Sequence, residues 1–588
     1  MHRFEVWAPR ASKMAVEVNT VRFALNGPDS DGMWSCHVHA AQPGEDYGFL
    51  IDDDPQVYPD PRSLWQPNGV HARSRVYDQH AFAWQCTHFQ PPPLSSALIY
   101  ELHIGTFTNE GTFDAAIGKL RHLVELGVTH VELMPVAAFA GDHGWGYDGV
   151  ALYAVYEPYG GPDGLKRFVD AAHQHGLAVL LDVVYNHFGP VGNYTGKYGD
   201  YITESHHTPW GGAVNLDRAG SREVRRFFCD NALMWMREYR MDGLRLDAVH
   251  AYVDNSAVHL LEQLAMEKET LEATLGRRLV LIAESDLNDP RIVTAPEAGG
   301  FGIDAQWSDD FHHALFALLV REKESGYYSD FGSMEQLAKA LENTFVFDGE
   351  YSDYRQRPHG KSAAHLSQHR FLGYIQNHDQ VGNRAIGERL QVSVGFDRAR
   401  VAAALVLTAP FVPMIFQGEE WATSTPFQYF ADHEDPEMAR LVSAGRKREF
   451  EAFGWSPDAI PDPEKKETFL NSRLDWNEVN EGQHAIMLHW YRKLIQLRKS
   501  TSSLNDGHPG NTRVGLDSDA QWMAMVRGDI TVLCNLAAEN LTYKTDGKIE
   551  ILLASSDATF REGVLQIAPD SVAIFKQMQP SHSSGSVS

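Results

Sequence analysis

The sequence predicts an α/β protein: a central (β/α)8 TIM barrel flanked by an N-terminal β-sandwich and a C-terminal β-domain. Three observations support this fold class. Apolar strands, polar clusters and amphipathic helices alternate through the middle of the chain, as in βα units around a parallel sheet. Eight apolar segments there can act as strands, the number that closes such a barrel. A chain of 588 residues also exceeds what one hydrophobic core organises, so two or three domains are expected.

Residues 1–90 are expected to form the N-terminal β-sandwich, of the kind that serves as a carbohydrate-binding module. Short β-rich stretches at residues 4–7 and 14–18 alternate with turn-forming clusters such as Asn-Gly-Pro-Asp at 26–29. The run Gln-Pro-Pro-Pro at 90–93 then indicates a linker. The catalytic barrel, with insertions, is expected over residues 91–504.

The barrel strands are predicted from apolar runs that follow helical patterns. One such pattern ends at Gly127 and another at Gly176, and glycine is a common helix stop. The eight expected strands lie at residues 98–100, 131–134, 178–181, 244–246, 279–283, 301–303, 371–375 and 414–416.

Beyond about residue 505 the helical rhythm gives way to short strands such as that at 530–533. We therefore expect a C-terminal β-sandwich over residues 505–576. The polar tail at 577–588 has the composition of a disordered segment.

Composition excludes several classes of partner and indicates a compartment. A net charge of −27 repels phosphate backbones and anionic lipid surfaces, so we expect neither nucleic acid nor membrane as a partner. The four cysteines are scattered without a Cys-x-x-Cys pair, which is typical of reduced thiols. No signal-peptide pattern opens the sequence, and the longest apolar run, at 401–416, is too short for a membrane span. A cytoplasmic location is the expectation.

Four acidic residues mark the ends of predicted barrel strands: Asp182, Asp247, Glu284 and Asp379. Each alone can be interpreted as the N-cap of the next helix, because a carboxylate satisfies free backbone N–H groups. Four together favour a site, since strand ends meet at one face of a barrel and converging carboxylates repel one another.

Paired carboxylates without a metal or organic cofactor are typical of glycoside hydrolysis, in which one acts as nucleophile or base and the other as acid. Arg245 lies two positions before Asp247 on one strand, so both side chains share a face and the guanidinium can keep Asp247 ionised. Glu284 follows an apolar strand, whose surroundings would favour its protonated, proton-donating form.

At this point the sequence resembles the α-amylase superfamily, through four blocks in family order. They are Asp-Val-Val-Tyr-Asn-His at 182–187, Gly-Leu-Arg-Leu-Asp at 243–247, Ile-Ala-Glu-Ser at 282–285 and Asn-His-Asp at 377–379. The resemblance implies that Asp247 forms a glycosyl-enzyme, Glu284 is the acid/base and Asp379 grips hydroxyls of the distorted sugar. It further implies sugar contacts for His187 and His378, and orientation of the nucleophile by Asp182 and Arg245.

Within the superfamily the blocks at 186–190, 247–251, 284–289 and 376–384 are similar to hydrolases of trehalose-capped maltooligosaccharides. Related branching enzymes usually have Ser-His-Asp-Glu where this chain has Asn-His-Asp-Gln. The implied reaction is cleavage of the α-1,4 bond beside a terminal trehalose, releasing trehalose and a maltooligosaccharide. The implied partners are maltooligosyltrehalose and related α-glucans.

Several further residues are candidate substrate contacts. By resemblance Tyr147 stacks on the cleaved sugar; the alternative is a packing aromatic. His250 belongs to the second block. Asp286, Asn288 and Gln380 follow the acid/base and Asp379 closely enough to meet the leaving group, although Asp286 and Asn288 can instead cap a helix. The run at 351–357 is expected on a loop before the seventh strand, where it would line the trehalose side.

Two other functions remain open from sequence alone. A 1,4-α-glucan branching enzyme would use the same carboxylates and differ only in its acceptor, and a non-catalytic glucan-binding protein would use the N-terminal sandwich. We expect no cofactor and no metal, because no Asp-x-Asp-x-Asp-Gly loop with a downstream glutamate is present in the sequence.

Overall fold

The computed structural model describes residues 1–320, 326–451 and 455–578. Its N-terminal part consists of two antiparallel sheets. Strands β1 and β4 pair with each other, and β3, β2, β5 and β6 form the second sheet in that order. The six strands are β1 (His2–Trp7), β2 (Met14–Val18), β3 (Val21–Ala24), β4 (Met33–Val38), β5 (Asp46–Ile51) and β6 (Ser74–Arg75).

The central part is a closed barrel of eight parallel strands, which confirms the predicted fold class. Around the barrel the order is β7, β8, β11, β14, β15, β16, β19 and β20, and β20 pairs with β7. The strands of this part are β7 (Ile99–Leu102), β8 (His130–Leu133), β9 (Ala137–Ala138), β10 (Ala151–Val155), β11 (Ala178–Val183), β12 (Ile202–Thr208), β13 (Gly211–Val214), β14 (Gly243–Leu246), β15 (Val280–Ala283), β16 (Ala305–Trp307), β17 (Tyr351–Ser352), β18 (Arg357–Pro358), β19 (Phe371–Gly373) and β20 (Val412–Phe416).

The sixth barrel strand does not lie at residues 301–303, where the sequence placed it, but at Ala305–Trp307. Gly302 has a positive φ of 73°, which ends any extended run there. The ring of Phe301 stacks on His259 outside the barrel sheet, with centroids 4.5 Å apart. The apolar side chain of Phe301 therefore packs outside the sheet. The true strand contains the polar residue Gln306, so a search for apolar runs does not find it.

The helices lie mainly around the barrel. They are α1 (Ile104–Phe107), α2 (Phe113–Ile117), α3 (Leu120–Leu126), α4 (Gly161–Gln174), α5 (Thr195–Tyr198), α6 (Ser221–Glu238), α7 (Leu260–Leu275), α8 (Asp309–Leu319), α9 (Met334–Asn343), α10 (His378–Gly382), α11 (Leu390–Thr408), α12 (Pro436–Glu451), α13 (Lys466–Asn471) and α14 (Gly482–Ser500). Within the described ranges, none of these helices combines the length and hydropathy that crossing a membrane requires.

The C-terminal part again consists of two sheets. One has five strands in the order β21, β22, β23, β28, β25, and the other three in the order β24, β27, β26. Their bounds are β21 (Thr512–Asp517), β22 (Trp522–Arg527), β23 (Ile530–Asn535), β24 (Leu541–Lys544), β25 (Ile549–Ala554), β26 (Ala558–Arg561), β27 (Val564–Ile567) and β28 (Ser571–Gln577). The disordered tail predicted at 577–588 begins too early, because Gln577 is the last residue of β28, and from residue 579 onward it lies outside the described residues.

Apolar side chains fill the barrel interior and form the floor of the site. The buried cluster includes Ile99, Leu180, Ile282, Leu372 and Met414, contributed by five different barrel strands. Because this packing fixes the strands, the side chains that follow them at the carboxyl-terminal edge converge in defined positions.

Candidate active site

Three of the four predicted carboxylates converge on one guanidinium at the carboxyl-terminal edge of the barrel. Nη1 of Arg245 donates to Asp182 Oδ2 at 2.8 Å and to Asp247 Oδ1 at 2.7 Å. Nη2 of the same side chain lies 3.2 Å from Glu284 Oε2. Asp247 and Glu284 directly follow β14 and β15, as predicted, whereas Asp182 lies inside β11, one residue before its end. One cation thus binds acids from three adjacent strands.

Burial shifts the pKa values of the charged groups in this cluster. Desolvation raises the pKa of Asp182 to about 7, although the Arg245 charge opposes that rise. Burial also disfavours the charged form of Arg245, but Asp182 and the other nearby acids outweigh it and raise the arginine pKa well above its usual range. The guanidinium further packs over the ring of Trp307, 4.3 Å from its centroid. Arg245 is therefore the permanent cation of the site.

Asp247 and Glu284 are each held by a second donor. The amide of Asn186 donates to Asp247 Oδ2 at 3.1 Å. The backbone N–H of Ala248, which has a left-handed φ of 42°, donates to Glu284 Oε2 at 2.7 Å. Glu284 thus meets a cation and an N–H donor rather than the wholly apolar surroundings expected from its strand. Both carboxylates are fixed before any substrate arrives.

Asp379 approaches the cluster from the opposite side, on α10 after β19. Its side chain is 39% exposed, and Oδ1 lies 3.7 Å from Nε2 of His378. Desolvation in the pocket and the charge of Glu284 raise the pKa of Asp379, while His378 opposes the shift. Asp379 and Glu284 therefore share the electrostatic environment of one pocket.

Tyr147 belongs to the hydrogen-bond network of the site. Its hydroxyl donates to Asp182 Oδ2 at 2.5 Å and lies 2.8 Å from His378 Nε2. Its ring lies against the imidazole of His378 at a centroid distance of 5.1 Å and an angle of 24°. The packing interpretation therefore holds for this contact, and sugar stacking by Tyr147 remains a proposal.

His187 packs against an aromatic side chain that the sequence did not single out. Its ring is parallel to that of Trp210, with centroids 4.8 Å apart, and Nε2 lies 3.1 Å from the backbone oxygen of Tyr147. Burial lowers the pKa of His187, so the ring is neutral at neutral pH. Trp210, between β12 and β13, is 48% exposed and extends the aromatic surface of the pocket.

On the loop after β15, Asp286 forms an ion pair rather than a helix cap. Nη1 of Arg355 donates to Asp286 Oδ2 at 3.0 Å, and Nδ1 of His250 lies 4.0 Å from Oδ1. Desolvation would raise the pKa of Asp286, but His250 and Arg355 outweigh it and lower the pKa. The next α-helix begins only at Asp309, so the capping alternative is wrong for both Asp286 and Asn288.

Asn288 and Gln380 differ in how free their side chains are. Asn288 is 2% exposed, and its amide donates to Asp310 Oδ2 at 2.8 Å and to the Phe347 oxygen at 3.0 Å. It therefore supports the loop from inside. Gln380 is half-buried, and its Oε1 accepts the hydroxyl of Tyr328 at 3.0 Å. Of the two, Gln380 alone has a partly open side chain.

Sequence reasoning missed Glu101 and Asp309. The carboxylate of Glu101, in β7, accepts the backbone N–H of His378 and contacts the imidazole ring of the same residue. Asp309 follows β16, and its Oδ1 accepts the hydroxyl of Tyr374, which follows β19. An acid inside an otherwise apolar strand was the available signal for Glu101, since an isolated charge there needs a partner.

Comparisons with known proteins agree with this geometry. The model of the family "Alpha amylase, catalytic domain" matches residues 56–210. The chain is 47% identical to a malto-oligosyltrehalose trehalohydrolase of Rhizobium sp. (strain M-11), over 98% of this chain and 97% of that protein. A crystal structure from Salmonella typhimurium, solved as a candidate α-amylase, superposes with a TM-score of 0.89 at 34% identity, over 98% of this chain and 97% of that one. A branching enzyme of Corynebacterium jeikeium is 27% identical over 71% of this chain and 60% of its own length.

The barrel, its carboxylates and these similarities define a glycoside hydrolase with an α-amylase type of catalytic domain. The near full-length identity goes further than this class. The chain belongs to the malto-oligosyltrehalose trehalohydrolase family.

Proposed function

We propose that this enzyme hydrolyses the α-1,4 bond next to the terminal trehalose of maltooligosyltrehalose, with retention of anomeric configuration. The products are trehalose and a shortened maltooligosaccharide. The substrate is proposed from the 47% identity to a malto-oligosyltrehalose trehalohydrolase. The observation that carries retention is the shared guanidinium of Arg245, which binds Asp247 at 2.7 Å and Glu284 at 3.2 Å. Two carboxylates on one cation favour the close spacing of about 5–5.5 Å that a retaining mechanism uses.

In the first step the carboxylate of Asp247 attacks the anomeric carbon while Glu284 donates its proton to the glycosidic oxygen, which leaves with the trehalose. Hydrogen bonds from Arg245 and Asn186 orient the Asp247 carboxylate for this attack. In the second step Glu284 takes a proton from water, and the water oxygen displaces Asp247 from the same carbon. Two inversions give net retention.

The sugar being cleaved is expected to contact the side chains opposite Arg245. We propose that Asp379 accepts hydrogen bonds from two hydroxyls of this sugar, and that His187 and His378 contact other hydroxyls of the same sugar. Asp379 is 39% exposed, so its oxygens are open to the pocket. Tyr147 lies between Asp182 and His378 and is the proposed platform under the ring.

Selection of trehalose falls to the leaving-group side of the pocket. The α,α-1,1 linkage changes the direction of hydroxyls rather than the size of the sugar, so polar groups have to distinguish it. The proposed recognition element is the ion pair of Asp286 and Arg355, with Nδ1 of His250 4.0 Å from Asp286, and Gln380 is a further candidate. Arg355 belongs to the run at 351–357 that the sequence placed on this side, and that run does lie before β19.

The test is product analysis on maltopentaose and on its trehalose-capped counterpart. We expect strong preference for the capped substrate, free trehalose as the product, and the α-anomer of the maltooligosaccharide at early times. Equal cleavage of both substrates would indicate an amylase, and new α-1,6 branches on amylose would indicate a branching enzyme. A β-anomer would contradict retention.

We also infer a cytoplasmic location from the thiols. All four cysteines are unpaired, and burial raises the pKa of Cys229 and Cys534 to about 12, so both stay protonated. Fractionation of the source cells checks this inference, and recovery of the enzyme from the medium would contradict it.

A further inference from the structure

A buried acid on the first barrel strand contacts the site from below. Glu101 is 1% exposed, and its Oε2 accepts the backbone N–H of His378 at 3.0 Å. Its Oε1 lies 2.5 Å from Nδ1 of the His378 ring. We propose that Glu101 is a positioning residue that holds His378 as an imidazolium and, through it, keeps Asp379 ionised.

The direction of the hydrogen bonds supports a doubly protonated ring. Tyr147 donates its only hydroxyl proton to Asp182 at 2.5 Å. Its oxygen must therefore accept at the 2.8 Å contact with Nε2 of His378, so that nitrogen carries a hydrogen. The other nitrogen faces the carboxylate of Glu101 and also carries one. An imidazole with two donors is a cation.

A neighbouring acid shows which carboxylate carries the charge. Glu101 on β7 is directly paired in register with Glu132 on β8, and both are 1% exposed. Two carboxylates side by side in a dry barrel do not both ionise. Neither oxygen of Glu132 has a hydrogen-bond partner among the described residues. Burial and the charge of Glu101 raise the pKa of Glu132 well above its usual value, so Glu132 is the neutral member of the pair.

The other ionisable groups around His378 also favour its protonated form. Burial alone would lower the pKa of His378, but Glu101 and Asp379 outweigh it and raise the pKa to about 9, against the charge of Arg245. His103 stays neutral, because burial lowers its pKa to about 3. The ionisable groups that face the ring or act on it from the packed elements are Glu101, His103, Glu132, Tyr147, Asp182, Arg245 and Asp379.

The consequence for catalysis passes through Asp379 and rests on the proposed function. Asp379 can use both carboxyl oxygens as acceptors for sugar hydroxyls only when it is ionised, because a protonated carboxyl uses one oxygen as a donor. Desolvation raises its pKa, the His378 cation at 3.7 Å and Arg245 oppose that rise, and Glu284 adds to it. The charge of Glu101 also raises this pKa, but it acts more weakly on Asp379 than the charge of His378 does. Without Glu101 the ring would lose its charge, Asp379 would bind a proton at higher pH, and activity would fall on the acid side.

The experiment compares Glu101→Gln with Glu132→Gln as a matched control on the adjacent strand. An amide at position 101 can accept the backbone N–H of His378 and donate to Nδ1, so both hydrogen bonds survive around a neutral ring. The first readout is proton NMR of protein with 15N-labelled histidine, assigned through His378→Gln. In wild type and Glu132→Gln we expect protons on both Nδ1 and Nε2 of His378 up to about pH 9, and in Glu101→Gln a proton on Nε2 alone at about pH 7.

The second readout is the pH dependence of kcat/KM on the trehalose-capped substrate. We expect the acid limb of Glu101→Gln to move up by about one pH unit, and that of Glu132→Gln to stay in place. An unmoved limb in Glu101→Gln, or equal shifts in both variants, would overturn the proposal. The NMR readout needs no substrate, so it stands if the proposed function fails. If Glu101→Gln does not fold, wild type decides: a His378 ring that carries a proton on only one nitrogen below about pH 7 overturns the proposal.

Discussion

The two halves of the catalytic pocket differ in how exposed their charged side chains are. On the β11 and β14 side, Arg245 is fully buried and donates to both Asp182 and Asp247. On the side formed after β15 and β19, Asp286 and Asp379 are each 39% exposed. The barrel itself therefore preorganises the nucleophile, whereas substrate recognition uses side chains that remain open to a ligand.

The largest effect is expected at the preorganised half. Asp247→Asn keeps the size of the side chain and its contact with Asn186 but removes the attacking carboxylate. We expect kcat to fall by about 10,000-fold or more, because no covalent intermediate forms. Single-turnover kinetics on the capped substrate measure this, and circular dichroism checks the fold. Near wild-type activity in a folded variant would remove Asp247 from the mechanism.

Arg245→Met tests the same half through stability. Removing the guanidinium leaves Asp182 and Asp247 buried without their shared cation, which costs about 3–5 kcal/mol of unfolding free energy. Urea unfolding of wild type and variant measures the loss. Adding Asp182→Asn should recover part of it, since one uncompensated charge disappears. A fully stable Arg245→Met protein would show that the cluster is not held by this ion.

The open half is tested by substrate preference. Asp286→Ala removes the partner of Arg355 without touching Asp247 or Glu284. We expect the preference for the trehalose-capped substrate over maltopentaose to drop about 10- to 200-fold in kcat/KM. Asp289→Ala is the matched control, because Asp289 lies on the same loop but pairs with Arg291. Equal losses in both variants would mean that the loop, not Asp286, sets the preference.

The preorganised half was the more predictable from sequence. Two-residue spacing on one strand was sufficient to place Arg245 beside Asp247, because side chains alternate along a strand. The open half depends on contacts between distant segments. Asp286 meets Arg355 across 69 positions, and Glu101 meets His378 across 277. No local pattern encodes which strand end meets which loop, and this is why Glu101 was missed and a helix cap was considered for Asp286.

Barrel strands were found wherever an apolar run coincided with burial in the sheet. The exception, at residues 301–303, shows the limit of that criterion. Phe301 is apolar because it packs on His259, while Gln306 lies in the true strand and is fully buried. A polar side chain inside a barrel is invisible to a search for apolar runs, although such residues are the ones that line a site.

The smallest expected effect also lies in the open half, at Asp309. This carboxyl accepts the Tyr374 hydroxyl, yet burial, followed by the charges of Glu284, Asp286 and Asp379, raises its pKa to about 8. A folded-state pKa above the unfolded value means that the folded protein holds a proton that the unfolded chain releases. The contribution of Asp309 to stability therefore falls as pH rises from about 4 to about 8, and the loss is complete above that range.

Asp309→Asn cannot ionise, and its amide oxygen can still accept from Tyr374. We expect the variant to unfold at nearly the same temperature as wild type near pH 4, where Asp309 is protonated in the folded protein and only about half ionised in the unfolded chain, and about 1–3 °C higher near pH 9. Thermal unfolding at the two pH values measures the difference, with the low-pH pair as internal control. The opposite result would be a variant that matches wild type at pH 4 but unfolds at a lower temperature than wild type at pH 9. That result would mean that Asp309 is ionised in the folded pocket and stabilised there by a cation.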